Sequence, residues 1–198
     1  MHFGSVAICI FLEAESLLSA LSGTLIELSV QQTEDGGFVV TGNYGQKENL
    51  LLKTDGQGNE QWRKTFGEGW GNSVQQTVDG GFIVTGHDED DDVLLLKTDG
   101  QGNEEWRKTF ERGLGFSVQQ TVDGGFVLAG KETDGDTPIL LLLKTDGQGN
   151  LEWIGNFGDG MGFAVQQARD GGFIVTGVTN GSAGSEVWLI KTNELGNI

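Results

Sequence analysis

The sequence predicts an all-β fold, and three observations support this prediction: a repeated unit, strand-forming segments inside each unit, and glycine-rich turns between those segments. Glycine supplies 34 of the 198 residues, against a usual share of roughly 7%, whereas proline occurs once. Excess glycine without proline is typical of a folded chain with many tight turns. At this length a single domain can bury a core without covalent cross-links.

The repeat is the dominant feature of the chain. The string Val-Gln-Gln-Thr-x-Asp-Gly-Gly-Phe, altered in its last copy, begins at four valines: Val30, Val74, Val118 and Val165. The copies therefore start 44, 44 and 47 residues apart. A second string, Leu50 to Phe66, returns from Leu94 to Phe110 with one substitution, and shorter copies follow near Leu141 and Val187. These spacings indicate four repeats of one structural unit.

Each unit contains four short strand-forming segments. In the second repeat these are Ser73 to Thr77, Gly81 to Gly86, Val93 to Thr98 and Glu105 to Phe110. Asp-Gly-Gly and Asp-Gly-Gln-Gly-Asn between them supply the positive-φ positions of tight hairpins. The middle segments are continuously apolar and the last one alternates, as expected where sheets cover each other and only the outermost strand meets water. A period of 40 to 50 residues with four strands is typical of a β-propeller blade.

The spacing from each tryptophan to the next repeat predicts how the ring closes. Trp62, Trp106 and Trp153 each precede the next Val-Gln-Gln valine by 12 residues, and the same step back from Val30 reaches Leu18. We therefore predict a four-bladed propeller of four-stranded antiparallel blades over residues 16–198, closed by an N-terminal strand at 16–22. Residues 1–15 form an apolar extension. The alternative is a larger ring completed by a second chain or a longer parent protein.

Two families share these motifs. Leu-Leu-Leu-Lys-Thr-Asp-Gly-Gln-Gly-Asn-Glu-Glu-Trp followed by Val-Gln-Gln-Thr-Val-Asp-Gly-Gly-Phe resembles the secreted bacterial and archaeal β-propeller repeats of the SBBP type, over roughly residues 16–198. Asp99, Gly102 and Trp106 are more distantly similar to the quinoprotein blade motif. That resemblance implies that Trp62, Trp106 and Trp153 dock one blade on the next, and the SBBP resemblance implies an extracellular or cell-surface location.

Charge and cysteine content exclude several classes. The formal net charge is −17, which disfavours nucleic acid and anionic membrane surfaces as partners. The single cysteine, Cys9, forms no disulfide framework within the chain. The apolar run Val6 to Leu12 is too short to span a bilayer and lacks the preceding basic residues of a signal peptide.

A metal site is one candidate function. The acidic run Asp88, Glu89, Asp90, Asp91 and Asp92 offers oxygen ligands of the type that Ca²⁺ prefers. The alternative is a solvated acidic loop, because the spacing lacks the glycine that curls a calcium loop around its ion. We expect no other cofactor.

The innermost strands and the loops before them offer two further candidate surfaces. Four glutamines of the repeat are predicted to face the central channel: Gln31, Gln75, Gln119 and Gln166. They could bind an ion or a small polar ligand, or satisfy one another. Three aromatic residues before the innermost strands could form a rim for a glycan or peptide: Trp70, Phe116 and Phe163. The alternative is packing beneath the loops.

No catalytic constellation stands out. His2 and His87 are the only histidines, and no nucleophile–histidine or zinc spacing occurs. We therefore predict a non-catalytic scaffold that binds a protein, peptide or glycan through its loop rim or channel, with a monomer favoured over a dimer. The alternatives are a structural repeat module that oligomerises into a larger propeller, and a hydrolase or quinoprotein relic.

Overall fold

The computed structural model describes residues 26–44, 48–133, 135, 137–181 and 184–198. Within these ranges the chain forms thirteen β-strands and no helix. Neighbouring strands pair antiparallel throughout. The prediction of an all-β antiparallel fold is confirmed. No helix in the described part of the chain has the length and apolar character needed to cross a bilayer.

The first seven strands pair in chain order and form one sheet. They are β1 (Ile26–Gln32), β2 (Phe38–Tyr44), β3 (Glu48–Thr54), β4 (Glu60–Gln76), β5 (Phe82–Asp88), β6 (Val93–Thr98) and β7 (Glu104–Phe110). The long strand β4 belongs to two ladders, because its residues up to Glu68 pair with β3 and those from Gly69 pair with β5. Each half of this sheet thus holds one four-stranded repeat.

The remaining six strands form a second sheet in the same manner. They are β8 (Gly113–Gln120), β9 (Phe126–Glu132), β10 (Ile139–Thr145), β11 (Leu151–Gln167), β12 (Phe173–Gly181) and β13 (Gly184–Thr192). Here β11 is shared between ladders, since it pairs with β10 and then with β12. The pairings give four antiparallel groups, and the last group has three strands. In the described ranges β1 does not pair with β13, and the proposed closing segment 16–22 lies outside them.

The predicted strands agree with those observed except at the junctions between repeats. The outer strand of one repeat and the inner strand of the next were expected to be separate, yet β4 and β11 each run through the junction. At the middle junction β7 and β8 are separate, and Arg112 between them adopts a φ of 62°. A non-glycine residue at positive φ interrupts the extended backbone there.

The core lies between neighbouring groups of strands. Ile83, Val93 and Leu95 of the second group pack against Phe126 and Leu128 of the third, and all five are at most 1% exposed. Equivalent clusters join the first group to the second and the third to the fourth. Each such side chain contributes about 1.5–3 kcal/mol relative to leaving it in water. The groups are therefore held to one another face to face.

The three repeat tryptophans occupy these contacts. The ring of Trp62 lies against Gly102 of the next repeat, where a Cβ atom would come within 2.6 Å of it. Trp106 lies against Gly149 and Trp153 against Gly196 in the same way. Only glycine leaves room for the indole at these positions. The last glycine of each Asp-Gly-Gln-Gly turn, and of the Asn-Glu-Leu-Gly turn at 193–196, therefore also forms the contact surface for a tryptophan.

Candidate functional site

The two ends of the strands form two chemically different surfaces. Strand ends alternate in an antiparallel meander, so the turn after the first strand and the turn after the third strand of each repeat lie at one end. We call this end the turn face; it holds turns 33–37, 55–59, 77–81, 99–103, 121–125, 146–150, 168–172 and 193–197. The opposite end, the loop face, holds the acidic hairpin 88–92 and the inter-repeat segments 67–72, 111–116 and 158–163.

Buried lysines organise the turn face. Lys97 Nζ lies 3.0 Å from Asp79 Oδ2 and 2.9 Å from Glu105 Oε2, and it donates to the carbonyl of Thr98. Burial raises the pKa of Asp79, but hydrogen bonds from Thr77, Gly81 and Lys97 outweigh that effect and lower the pKa to about 2. Asp123 has the same arrangement around Lys144, and its pKa is also about 2. These groups stabilise hairpins in every repeat.

The predicted channel glutamines join neighbouring repeats. The side-chain oxygens of Gln31, Gln75 and Gln119 accept hydrogen bonds from the backbone N–H groups of Gln76, Gln120 and Gln167. Gln76, Gln120 and Gln167 in turn accept from backbone N–H groups of the preceding repeat. Three of the four predicted amides are thus engaged between inner strands, while Gln166 makes no such bond among the described residues. Ligand binding by these amides stays a prediction.

The acidic hairpin 88–92 is organised by its own backbone. Asp88 Oδ1 accepts from the N–H groups of Asp90 and Asp92, and Asp92 Oδ1 accepts from the N–H of Arg112. Asp91 adopts a φ of 60° at the tip. Within the described ranges no three acidic, histidine or cysteine side chains converge in a group that could hold a metal ion. Calcium binding by Asp88 to Asp92 therefore stays a prediction.

The three predicted rim aromatics divide between two places on the loop face. Trp70 stacks on His87, with ring centroids 4.8 Å apart and an interplanar angle of 18°. Phe116 and Phe163 contact each other at 5.5 Å, and Phe163 is 46% exposed. The structure thus brings Phe116 and Phe163 together and gives Trp70 a different partner.

One position of the loop face varies completely between repeats. The residue after the glycine that ends each second-strand motif is Asn43, His87, Lys131 or Val178. Three of these lie opposite Trp70, Leu114 and Met161 in the ladders. Since the residues before this position are nearly constant, the same backbone position carries four chemically different side chains.

A pair of carboxylates missed in the sequence also lies on the loop face. Glu48 and Glu68 are directly opposite each other across β3 and β4, and both are exposed. Opposed positions in antiparallel strands bring Cβ atoms to about 4.5–5.5 Å, and like charges there are unfavourable. The ladder shifts between Glu48 and Leu50. The sequence alone could not show this pairing because the shift changes which residue of β4 faces Glu48.

The comparisons with known proteins bear on the fold. No family model and no curated protein sequence matches the chain. Among solved structures it is similar to a protein described as an exo-β-1,3-galactanase from Bifidobacterium bifidum, with 13% identity and a TM-score of 0.59 over 85% of this chain and 68% of that one. It is also similar to a GH43 β-1,3-galactosidase, with 12% identity and a TM-score of 0.53; 85% of this chain matches 43% of that one.

These neighbours correct two expectations. Both are propeller-fold proteins named as glycoside hydrolases, which supports the propeller-like architecture. The same finding contradicts the prediction of a non-catalytic binding scaffold or purely structural module, and the prediction that the chain is not an enzyme. The absence of a histidine-centred constellation does not exclude glycoside hydrolysis, which uses paired carboxylates.

Proposed function

We propose that the four groups of strands are the four blades of a β-propeller and that residues 16–22 supply the outer strand of the last blade. The fixed step of 12 residues would set Leu18 opposite Lys191, as Trp62 lies opposite Lys53. The edge of β13, which pairs only with β12 among the described strands, supports this arrangement.

Disulfide cross-linking tests the closure. In a Cys9→Ser background, Leu18→Cys with Lys191→Cys would form an intramolecular disulfide, because opposed strand positions lie within the Cα separation that a disulfide spans. Mass spectrometry of oxidised monomer would detect it. The matched control pairs Leu18→Cys with Glu194→Cys, beyond the end of the strand. Equal cross-linking in both variants would contradict the closure.

We further propose that the chain is a glycoside hydrolase whose catalytic site lies on the loop face, with β-linked galactosides as its substrate class. The observation that carries this proposal is the opposed pair Glu48 and Glu68. Glu68 lies two residues before Trp70 on β4. The substrate class comes from the names of the two structural neighbours. An acidic protein that repels phosphate and anionic lipid remains compatible with a neutral polysaccharide.

The geometry suggests a division of roles. Two carboxyl groups about 5–9.5 Å apart can flank a glycosidic bond, one protonating the leaving oxygen and the other acting as nucleophile or activating water. Glutamate side chains on opposed strands reach that range from either side. Trp70, which is partly exposed and held by its stack on His87, would offer an aromatic surface of the kind on which a sugar ring packs. The wider loop face would hold further sugar units against Phe116 and Phe163.

Hydrolysis assays test this proposal directly. Release of reducing sugar from β-1,3-galactan would be measured for the wild type and for Glu48→Gln, Glu68→Gln and Glu111→Gln. We expect losses of at least about a hundredfold in the first two, which remove an acid or base, and little change in the third. Activity that survives Glu48→Gln and Glu68→Gln would exclude this pair. Absence of hydrolysis across β-galactans would overturn the proposed substrate class.

A further inference from the structure

Glu68 lies where the backbone of β4 passes from one ladder to the next. The residues up to Glu68 pair with β3, and those from Gly69 pair with β5. Gly67 before it adopts a φ of 72°, and Gly69 after it adopts a φ of 138°. Glycine reaches such values at little steric cost and leaves the backbone free to adopt others. The position of the Glu68 carboxylate therefore depends on what holds the chain on either side of it.

Two side chains hold this part of β4. Arg107 Nη1, from β7, donates a hydrogen bond to the backbone carbonyl of Phe66 at 3.2 Å. Asn43 Nδ2, from β2, donates to the backbone carbonyl of Gly69 at 3.3 Å, and Asn43 is 4% exposed. One contact lies before Glu68 in the chain and the other lies after it. The two donors belong to different repeats, so they fix the segment from both sides.

The next inter-repeat segment does not have these donors. Ile154 stands in repeat three at the position of Arg107, and its side chain has no N–H group to donate. His87 stands in repeat two at the position of Asn43, where it stacks on Trp70. The repeat itself therefore does not require an arginine and an asparagine at these positions. Their combination occurs where the chain carries Glu68.

The opposed carboxylates are found at the same place. Three repeats carry equivalent pairs of positions with different side chains: Glu48–Glu68, Asp92–Arg112 and Ile139–Asp159. Of these three pairs the first alone consists of two carboxylates, which repel each other. Flexible glycines on both sides of Glu68 would let the backbone move away from Glu48. The hydrogen bonds from Arg107 and Asn43 oppose that movement.

We propose that Arg107 and Asn43 are positioning residues, which hold the Glu68 carboxylate facing Glu48 within the separation that glycosidic hydrolysis uses. The inference rests on the proposed hydrolase and adds two residues to it. Both act through backbone carbonyls of β4 and not on the substrate. A displacement of about 1 Å in a catalytic group can lower the rate about a hundredfold. Loss of either donor should therefore act on kcat more than on KM.

Kinetics with β-1,3-galactan test the inference. Arg107→Met and Asn43→Leu each remove one donor and should lower kcat by about tenfold or more, while KM changes less than about twofold. Arg107→Lys keeps a donor and should retain more of the rate than Arg107→Met. The control Glu104→Gln removes the charge that pairs with Arg107 Nη2 but leaves the bond to Phe66, and it should change kcat less than about twofold. Unchanged kcat in Arg107→Met and Asn43→Leu would overturn the proposal.

A stability measurement that needs no activity separates this inference from the proposed hydrolase. While Arg107 holds the segment, Glu68→Gln relieves the repulsion from Glu48 and should raise Tm. In an Arg107→Met background the segment can already move away, so the rise should shrink by about half or more. Equal rises in the two backgrounds would overturn the positioning of Glu68. If the wild type hydrolyses no β-galactan but the rise depends on Arg107, the proposed hydrolase is wrong and the positioning stands.

Discussion

The turn face and the loop face are built from the same four repeats but differ in how far the repeats agree. At the turn face the same lysine–aspartate pair recurs in all four repeats: Lys53–Asp35, Lys97–Asp79, Lys144–Asp123 and Lys191–Asp170. At the loop face one backbone position carries asparagine, histidine, lysine or valine. One end of the molecule therefore preserves contacts, and the other varies them.

The contacts explain this difference. Turn-face groups satisfy buried lysines and hairpin N–H groups, so substitution there leaves a buried charge or donor without its partner. The variable loop-face position is buried at Asn43 and His87, but it lies outside the three clusters that hold the groups of strands together and can change without disturbing them. We expect turn-face substitutions to change the free energy of unfolding most and loop-face substitutions to change the proposed hydrolysis most. The following experiments test that expectation.

The largest expected effect is at a docking tryptophan. Trp106→Ala removes an indole that packs on Phe126 and Gly149 between repeats, and it should cost about 3 kcal/mol of unfolding free energy. Trp70→Ala at the loop face loses its stack on His87 and should cost about 1 kcal/mol, and it should reduce the proposed hydrolysis. Urea unfolding of both variants measures the difference. Equal losses would mean that the loop face supports the fold as much as the turn face does.

A smaller effect is expected at the buried lysines. Lys97→Met keeps the apolar stem but leaves Asp79 and Glu105 without their cation, and it should cost about 2 kcal/mol because one member of a partly buried pair is removed. Lys191→Met, at the half-exposed copy of the same position, should cost less than about 1 kcal/mol. Chemical denaturation of the two variants provides a matched comparison within one motif. A larger cost at Lys191 would show that exposure does not govern these pairs.

Low pH should destabilise the protein by protonating aspartates of the turn face. The pKa of Asp79 and of Asp123 is lowered from 3.8 to about 2 in the folded chain, so their stabilising contribution is complete above about pH 4 and is lost as pH falls toward 2. Thermal melting from pH 6 to pH 2 should show Tm falling through this window. Asp79→Asn with Asp123→Asn should lower Tm at pH 6 and flatten the fall. An unchanged slope would place the acid-sensitive groups elsewhere.

The sequence was sufficient to predict the hairpins of the turn face because their signals are local, whereas the lysine–aspartate pairs there were not predicted. Asp-Gly-Gly and Asp-Gly-Gln-Gly specify hairpins by backbone conformation, and the alternation around Trp106 identifies an outer strand without knowledge of its neighbours. The continuous strands β4 and β11 were missed because glycine-rich junctions resemble turns in sequence. Glycine permits a turn but does not require one.

The loop face was harder to predict because its contacts depend on register. Trp70, Phe116 and Phe163 occupy related places in sequence, yet Trp70 contacts His87 and the phenylalanines contact each other. The opposition of Glu48 and Glu68 follows from an irregularity in the β3–β4 ladder. Neither contact has a sequence signal of its own. Even a correct list of strands would therefore have left these pairs unidentified.

The smallest expected effect is a gain in stability at the loop face. Glu68→Gln removes one of two like charges on opposed strands and should raise the unfolding free energy by about 0.5 kcal/mol at low salt. The gain should vanish at about 1 M salt, where the Debye length is near 3 Å and exposed charges no longer interact. Urea unfolding at both salt concentrations measures it, with Glu111→Gln as the control. A loss of stability on substitution would mean that Glu68 supports the fold. A higher unfolding free energy combined with lost hydrolysis would show that the Glu48–Glu68 pair lowers stability but is needed for activity. The lysine–aspartate pairs of the turn face, in contrast, stabilise the fold.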